Sequence, residues 1–285
     1  MATATLSEIE IPAPGLYPDV PAEVYHRWPA ASQTVLKIMR DRSPAHARAY
    51  MLTPPEPTPA MRLGDAVHVA VLQPDLFESR YIVQPNIDRR TKAGKEEWNA
   101  FLAENDGKRI LTPDEWAQCL AIRDAVHSHP VARRLVTGRT ELSAVWQERW
   151  YGVMCKGRFD AVPDGLGVIV DLKTTSDASP RAFSRDVFRL GYHIQGAMYL
   201  MGAQILGLKV DLFAIVAVEK EPPYAVAVYN VRDDALAAGE TELGRLLKTW
   251  AECLESGHWP GYPEKAVDIS LPEWAFAQIE RAESA

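Results

Sequence analysis

The 285-residue sequence predicts an α/β fold with a mixed central sheet flanked by helices. Three strand-like stretches follow one another between residues 143 and 174. A long helical pattern at 180–206 then separates them from two further strands, at 210–219 and 224–231. The stretch 168–174 (Val-Ile-Val-Asp-Leu-Lys-Thr) is apolar and β-branched, as a buried strand should be.

The elements follow in order. Residues 1–30 are proline-rich, lack periodicity and read as an irregular N-terminal arm. Ser32 is placed to cap a helix carrying Val35, Leu36 and Met39, and Ser43-Pro44 starts a second that runs to about Leu52. Four prolines between 53 and 59 mark a loop. In the helix 60–72 the apolar stripe is Leu63, Val67, Ala70 and Val71, and Pro74 closes it. A strand is expected at 81–86. Two polar helices, 92–104 and 113–128, form a helical insertion over about 88–137. The sheet strands are 143–150, 153–162 and 168–174, turned at Tyr151-Gly152 and Pro163-Asp164-Gly165. After the helix 180–206, the last two strands join across Pro222-Pro223. A helix at 233–254 and a short one near 271–282 complete the chain.

Hydrophobic residues make up 47% of the sequence, enough for a large core, and the net charge is −7. An acidic chain contacts nucleic acid only through local basic patches. Candidates are Arg89-Arg90-Thr91-Lys92 with Lys95, Arg133-Arg134, and Lys156 with Arg158; the alternative for the first two is a solvated face. The three cysteines show no CxxC spacing, which speaks for a reducing cytosol and against disulfides or a structural zinc site. No signal peptide and no apolar run of membrane-spanning length is visible, so a soluble cytoplasmic protein is expected.

Side chains alternate along the strand 168–174. Asp171 and Lys173 therefore share one face, roughly 6–7 Å apart, and Val168, Val170 and Leu172 take the other. An acid and a base at the end of an apolar strand are costly to bury unpaired. A divalent cation would satisfy the carboxylate. Its partner acid is Asp160 or Asp164. Turn aspartates such as Asp164 commonly bond their own backbone, which favours Asp160; a plain salt bridge to Arg158 is the other role open to Asp160. His68 follows Gly64 by four residues, on the same helix face. A helix-interior glycine costs about 1 kcal/mol against alanine, so a close backbone approach is expected at Gly64. A lone helical histidine is commonly structural, but the carboxylates downstream favour a ligand. Tyr192, Gln195 and Tyr199 form a polar ridge on an apolar helix. Phosphate oxygens, Lys173 or a structural network would satisfy it. Glu141 precedes the first strand and either reaches the metal site or merely begins the strand.

Taken in order, Gly-x-x-x-His, Gly-x-x-Asp, Asp-x-Lys-Thr and Gln-x-x-x-Tyr resemble the PD-(D/E)XK nucleases of the RecB and lambda-exonuclease type. The resemblance is closer to the RecE (exonuclease VIII) nuclease domain and its phage and prophage relatives. The matching pieces are LGDAVHVAVLQPDLF at 63–77, CKGRFDAV at 155–162, VDLKTT at 170–175 and GYHIQGAMYL at 191–200. The stretch 32–44, with its Ser-Pro pair, is similar to the family's opening segment. The likeness covers roughly 25–255.

This resemblance implies a restriction-endonuclease-like core over 31–256, between the arm and a C-terminal tail at 257–285. It implies His68, Asp160 and Asp171 as side-chain metal ligands, the Leu172 carbonyl as another, and Lys173 as the catalytic lysine. Gln195 and Tyr199 would support the site or the DNA. Glu141, Lys156, Arg158 and Tyr192 are further candidates for support or DNA contact. Such ligands suit Mg²⁺, with Mn²⁺ able to substitute. The implied activity is exonuclease digestion of linear double-stranded DNA from 5′ to 3′, leaving 3′ single strands for recombination. A single-strand annealing protein would be the partner, and a homo-oligomeric ring, trimer or tetramer, the assembly. One alternative is a RecB/AddB-like or CRISPR-associated nuclease of different polarity. Its iron–sulfur branch needs four cysteines where three are scattered here. The other is a non-catalytic DNA-binding module, against which the intact Asp160, Asp171 and Lys173 stand.

Overall fold

The computed structural model describes residues 10–283. Strand β1 (Gly15–Tyr17) and helix α1 (Ala22–Arg27) open it. Helices α2 (Gln33–Asp41), α3 (Pro44–Leu52), α4 (Pro59–Leu72) and α5 (Pro74–Arg80) follow, then strand β2 (Tyr81–Val83). Next come α6 (Lys92–Glu104), β3 (Arg109–Leu111), α7 (Pro113–Ser128) and α8 (Ala132–Leu135). The main sheet takes up β4 (Arg139–Gln147), β5 (Met154–Val162) and β6 (Val168–Thr175). After α9 (Pro180–Arg189) and α10 (Tyr192–Ile205) the chain returns to it with β7 (Leu212–Glu219) and β8 (Val226–Asn230), and α11 (Asp233–Ser256) and α12 (Glu273–Glu283) end the chain.

The six strands lie in the order β1-β4-β5-β6-β7-β8. β6 and β7 run parallel, from Val168 beside Leu212 to Thr175 beside Glu219. Every other neighbour is antiparallel. A parallel pair needs a crossover, and α9 with α10 supplies it. The sheet is therefore mixed, as the sequence predicts. α2, α10 and α11 cover one face, over Trp146, Phe159, Ile169, Phe213 and Ile215. α4 and α7 cover the other, over Val168, Val170, Leu172, Val216 and Val218. The alternation read from 168–174 thus places Leu172 in the core beneath α4. β5 and β6 share a single ladder pair, Ala161 beside Val170, and part beyond it.

Local chemistry explains the helix starts. Ser32, Ser43 and Thr58 each accept a first-turn amide of α2, α3 and α4. Thr112 and Glu115 form a reciprocal capping box on α7.

Several expectations are corrected. The segment read as an irregular arm holds β1, which pairs with β4, and α1. The helix expected over 180–206 is two, α9 and α10, broken at Gly191 (φ +71°), whose left-handed backbone only glycine adopts freely. Pro74 closes α4 but also occupies the first turn of α5. The strand near 81 is short and pairs in parallel with the unforeseen β3, outside the main sheet. The first long sheet strand starts at Arg139, so Glu141 lies inside it. The turn around Tyr151-Gly152 is longer than a two-residue hairpin. It wraps around the buried Glu148, whose carboxylate accepts the amides of Trp150, Tyr151 and Val153. Gly64 has no close backbone neighbour: a Cβ there would meet nothing within 4 Å. No helix among the described residues is long and apolar enough to cross a membrane.

Candidate active site

The parting of β5 and β6 builds the site. Beyond Ala161 and Val170 the strands no longer pair, and a side chain takes over from the backbone. Asp160 Oδ2 accepts the amide of Leu172 at 2.7 Å. Asp171 shares its face with Ile169 and Lys173, toward α10. Asp160 shares its face with Lys156 and Arg158, toward α4 and the N-terminal segment. Asp171 is held from the α10 side of the gap by Gln195, and Asp160 faces His68 of α4.

On the α10 side, Asp171 is 1% exposed. Gln195 donates from Nε2 to its Oδ1. Its Oδ2 takes the Lys173 ammonium in a close ion pair. Lys173 Nζ also lies 5.0 Å from the centre of the Tyr192 ring. Burial opposes the charge on Lys173, but Asp171 and Asp160 outweigh it and raise its pKa, keeping it an ammonium. Tyr199, one turn beyond Gln195, packs edge-on to Phe159 at 5.0 Å between ring centres. Gly157 makes room for it: a Cβ there would stand 3.0 Å from Tyr199 Cε1. Of the polar ridge of α10, Tyr192 and Gln195 therefore face Lys173 and Asp171, and Tyr199 packs in the core.

On the α4 side, His68 Nε2 lies 3.0 Å from the Leu172 carbonyl. With that nitrogen donating, Nδ1 holds the lone pair. Nδ1 stands 3.7 Å from both Glu141 Oε1 and Asp160 Oδ2. One donor atom from each of the three residues lies within 4.8 Å of the others. A lone pair aimed at two carboxylates calls for positive charge between them. Burial lowers the basicity of His68, yet Asp160 and Glu141 overcome this and bring its pKa up to about 9. Burial raises Asp160 to about 7, with Asp171 adding to the rise and His68 and Lys173 opposing it. Burial also favours a neutral Glu141, but the hydrogen bond and charge of His68, and Arg158 beside it, hold it below the usual carboxylate range. A proton supplies the missing charge in the metal-free protein. The nitrogen and oxygen donors equally suit a divalent cation, which would displace that proton.

Glu141 reaches this cluster through an unusual backbone. It falls between the ladder pairs Thr140–Ala161 and Leu142–Phe159, opposite Asp160, and has φ +52°. A left-handed non-glycine inside a strand is uncommon and marks strain held for a purpose. Nothing in the strand pattern signalled it.

Other candidates fall elsewhere. Asp164 is exposed in its turn. Lys156 is 4% exposed, and its Nζ donates to the carbonyls of Tyr25 (2.8 Å), His26 (3.1 Å) and Trp28 (2.8 Å). It is a support and is closed to DNA. Arg158 donates to Ser143 Oγ and to the Val20 carbonyl. Arg90 pairs with Asp88, and Arg89 lies over Trp98, 4.6 Å from the ring centre. The residue missed altogether is Tyr25, whose ring lies 4.5 Å beneath the Arg158 guanidinium. Its proline-rich surroundings carry no periodicity that would single it out.

Residues 32–270 match the family profile described as "PDDEXK-like domain of unknown function (DUF3799)". No curated protein matches the chain. Among solved structures, a protein of Eubacterium rectale that carries the provisional name exonuclease superposes with a TM-score of 0.56 at 15% identity. That match covers 90% of this chain and 98% of the other, and at such identity it establishes the fold alone. A second structure, SSO0001, reaches a TM-score of 0.30 at 13% identity over 70% of this chain and 98% of the other, too low to carry an argument. The profile spans every element from α2 to α11 and with them His68, Glu141, Asp160, Asp171 and Lys173, so the chain belongs to the PDDEXK-like family.

Proposed function

We propose that the protein is a Mg²⁺-dependent DNA exonuclease of the RecE type, digesting linear duplex DNA from 5′ to 3′. The observation that carries this is the gap between β5 and β6. It brings the Lys173–Asp171 ion pair, with its carboxylate buried, beside a cation seat made by His68, Glu141 and Asp160. A divalent cation held there supplies Lewis-acid charge to a phosphodiester and eases ionisation of water.

The residues of the chain do the rest. His68 Nδ1 and the carboxylates of Glu141 and Asp160 present the donors, and the Leu172 backbone fixes His68 and Asp160 from both of its polar groups. Gln195 fixes the Asp171 carboxylate, which in turn holds the Lys173 ammonium. That ammonium orients the attacking water or neutralises charge developing on the phosphoryl oxygens. Mn²⁺ serves in place of Mg²⁺ because one donor is an imidazole. Polarity, the annealing partner, the recombination role and the ring rest on the sequence resemblance. A ring with a basic channel would reconcile the net charge of −7 with DNA binding.

The test is digestion of matched linear and covalently closed duplex DNA, with Mg²⁺ and with EDTA, beside native mass determination. Linear DNA alone should be degraded, by an oligomer, and only with the metal. Equal cutting of both forms by a monomer would remove the exonuclease reading. No cutting of either form would remove the nuclease reading.

A further inference from the structure

Glu141 cannot be held by its own strand. Its backbone is left-handed, and its carboxylate faces that of Asp160 across the ladder. Such a conformation lasts only where the surroundings over-determine it. Besides His68 of the seat itself, its cationic neighbour is Arg158, whose Nη1 stands 3.7 Å from Glu141 Oε2.

Arg158 is itself fixed on every side. Nε donates to Ser143 Oγ at 3.1 Å and Nη2 to the Val20 carbonyl at 2.8 Å. Its planar face lies on the Tyr25 ring. Val20 and Tyr25 belong to the N-terminal segment that carries β1 and α1. Lys156, two residues back on the same strand face, pins that segment through the carbonyls at the end of α1. Tyr25 and Trp28 bury themselves against Val145. This segment precedes residue 32, where the family match begins.

We propose that the N-terminal segment is a working part of the site, and that Arg158, clamped by Tyr25 and Val20, is a positioning residue that aims Glu141 at the cation seat. The proposal rests on the cation seat of the function proposed above. It does not require that DNA be the substrate.

The experiment titrates Mn²⁺ calorimetrically into full-length wild type, Arg158→Lys, Tyr25→Leu and Ser143→Ala. Thermal unfolding in EDTA and digestion of linear duplex DNA accompany it. Lysine keeps the charge but lacks the fork that spans Glu141, Ser143 and Val20. Arg158→Lys should weaken Mn²⁺ binding about tenfold, the scale for a residue that orients a ligand. kcat should fall in parallel and KM for DNA should stay within about twofold of wild type. Tyr25→Leu should act in the same direction, and the double variant should be no weaker than the worse single one. Ser143→Ala, which removes one bond to Arg158 Nε, should give a smaller loss and keeps the test open if Arg158→Lys fails to fold. Unchanged Mn²⁺ affinity in the folded variants would overturn the proposal. So would a raised KM with kcat intact, which would make Arg158 a phosphate contact. If wild type and variants bind Mn²⁺ in the expected order yet no DNA is cut, the nuclease reading fails and this one stands.

Discussion

Asp160 Oδ2 accepts the Leu172 amide at 2.7 Å, across the point where β5 and β6 separate. The carboxylate therefore has two duties, closing the backbone pairing of the sheet and facing His68.

Two substitutions separate these duties. Asp160→Asn keeps a carbonyl acceptor for Leu172 and loses the charge, so it should fold normally and bind Mn²⁺ at least about 100-fold more weakly. Asp160→Ala also leaves a buried amide unpaired and should lose about 1–3 kcal/mol of stability. Calorimetric titration and urea unfolding in EDTA give the two readouts. Both variants should be inactive on linear duplex DNA, and Asp164→Ala nearly silent. Wild-type turnover by either Asp160 variant at saturating Mg²⁺ would remove this residue from the metal site.

Lys173→Ala should retain cation and DNA binding and lose about 10²–10³ in turnover, the scale for one electrostatic stabiliser. Lys173→Arg should not restore it, because the planar fork does not fit the ammonium's place between Asp171 and the Tyr192 ring. Single-turnover cleavage with parallel filter binding decides. DNA binding lost in step with catalysis would make the lysine mainly a phosphate anchor.

Cation binding should depend on pH. His68, raised to about 9, is protonated at neutral pH, and Asp160, raised to about 7, is partly so. A cation displaces these protons, so affinity should climb from pH 6 to pH 9 as the groups lose them unaided. At pH 7, between about one and two protons should leave per ion bound. Mn²⁺ titrations in buffers of different ionisation enthalpy measure this. Heats independent of buffer would mean that no proton occupies the seat. His68→Ala should bind more weakly, recover partly at high Mn²⁺ and release fewer protons.

Gly239 lets α11 press on α10, where an added Cβ would stand 2.3 Å from the His193 carbonyl oxygen. Gly239→Ala should cost about 1–3 kcal/mol, as overpacking does. α10 carries Gln195, so turnover should fall as well. Guanidinium unfolding with an activity assay tests both, and unaltered stability would show that the helices have room to move apart.

Much of this was legible in the sequence where periodicity and chemistry agree. The alternation of 168–174 placed Asp171 and Lys173 on one face, and the spacing in α10 aligned Tyr192, Gln195 and Tyr199. What escaped were features set by tertiary context. Glu141 adopts a backbone angle that no strand pattern encodes. β1 and Tyr25 gain their order from Lys156 and Arg158, far along the chain. The break at Gly191 was written as a glycine, but the apolar residues on both sides masked it as one continuous helix. Gly64 misled in the opposite sense: the residue type suggested a tight contact, and the space beside it is open.

The distance along the chain between Tyr25 and Lys156 is 131 residues. During synthesis Tyr25 leaves the ribosome long before the strand that will hold it exists. Closing so long a loop is among the slower events of folding. Until β5 emerges, Arg158 and Asp160 are also missing, and Glu141 has nothing to aim at. A half-made chain therefore carries β1 and α1 without any assembled site, and the timing of that assembly is written into the order of the residues.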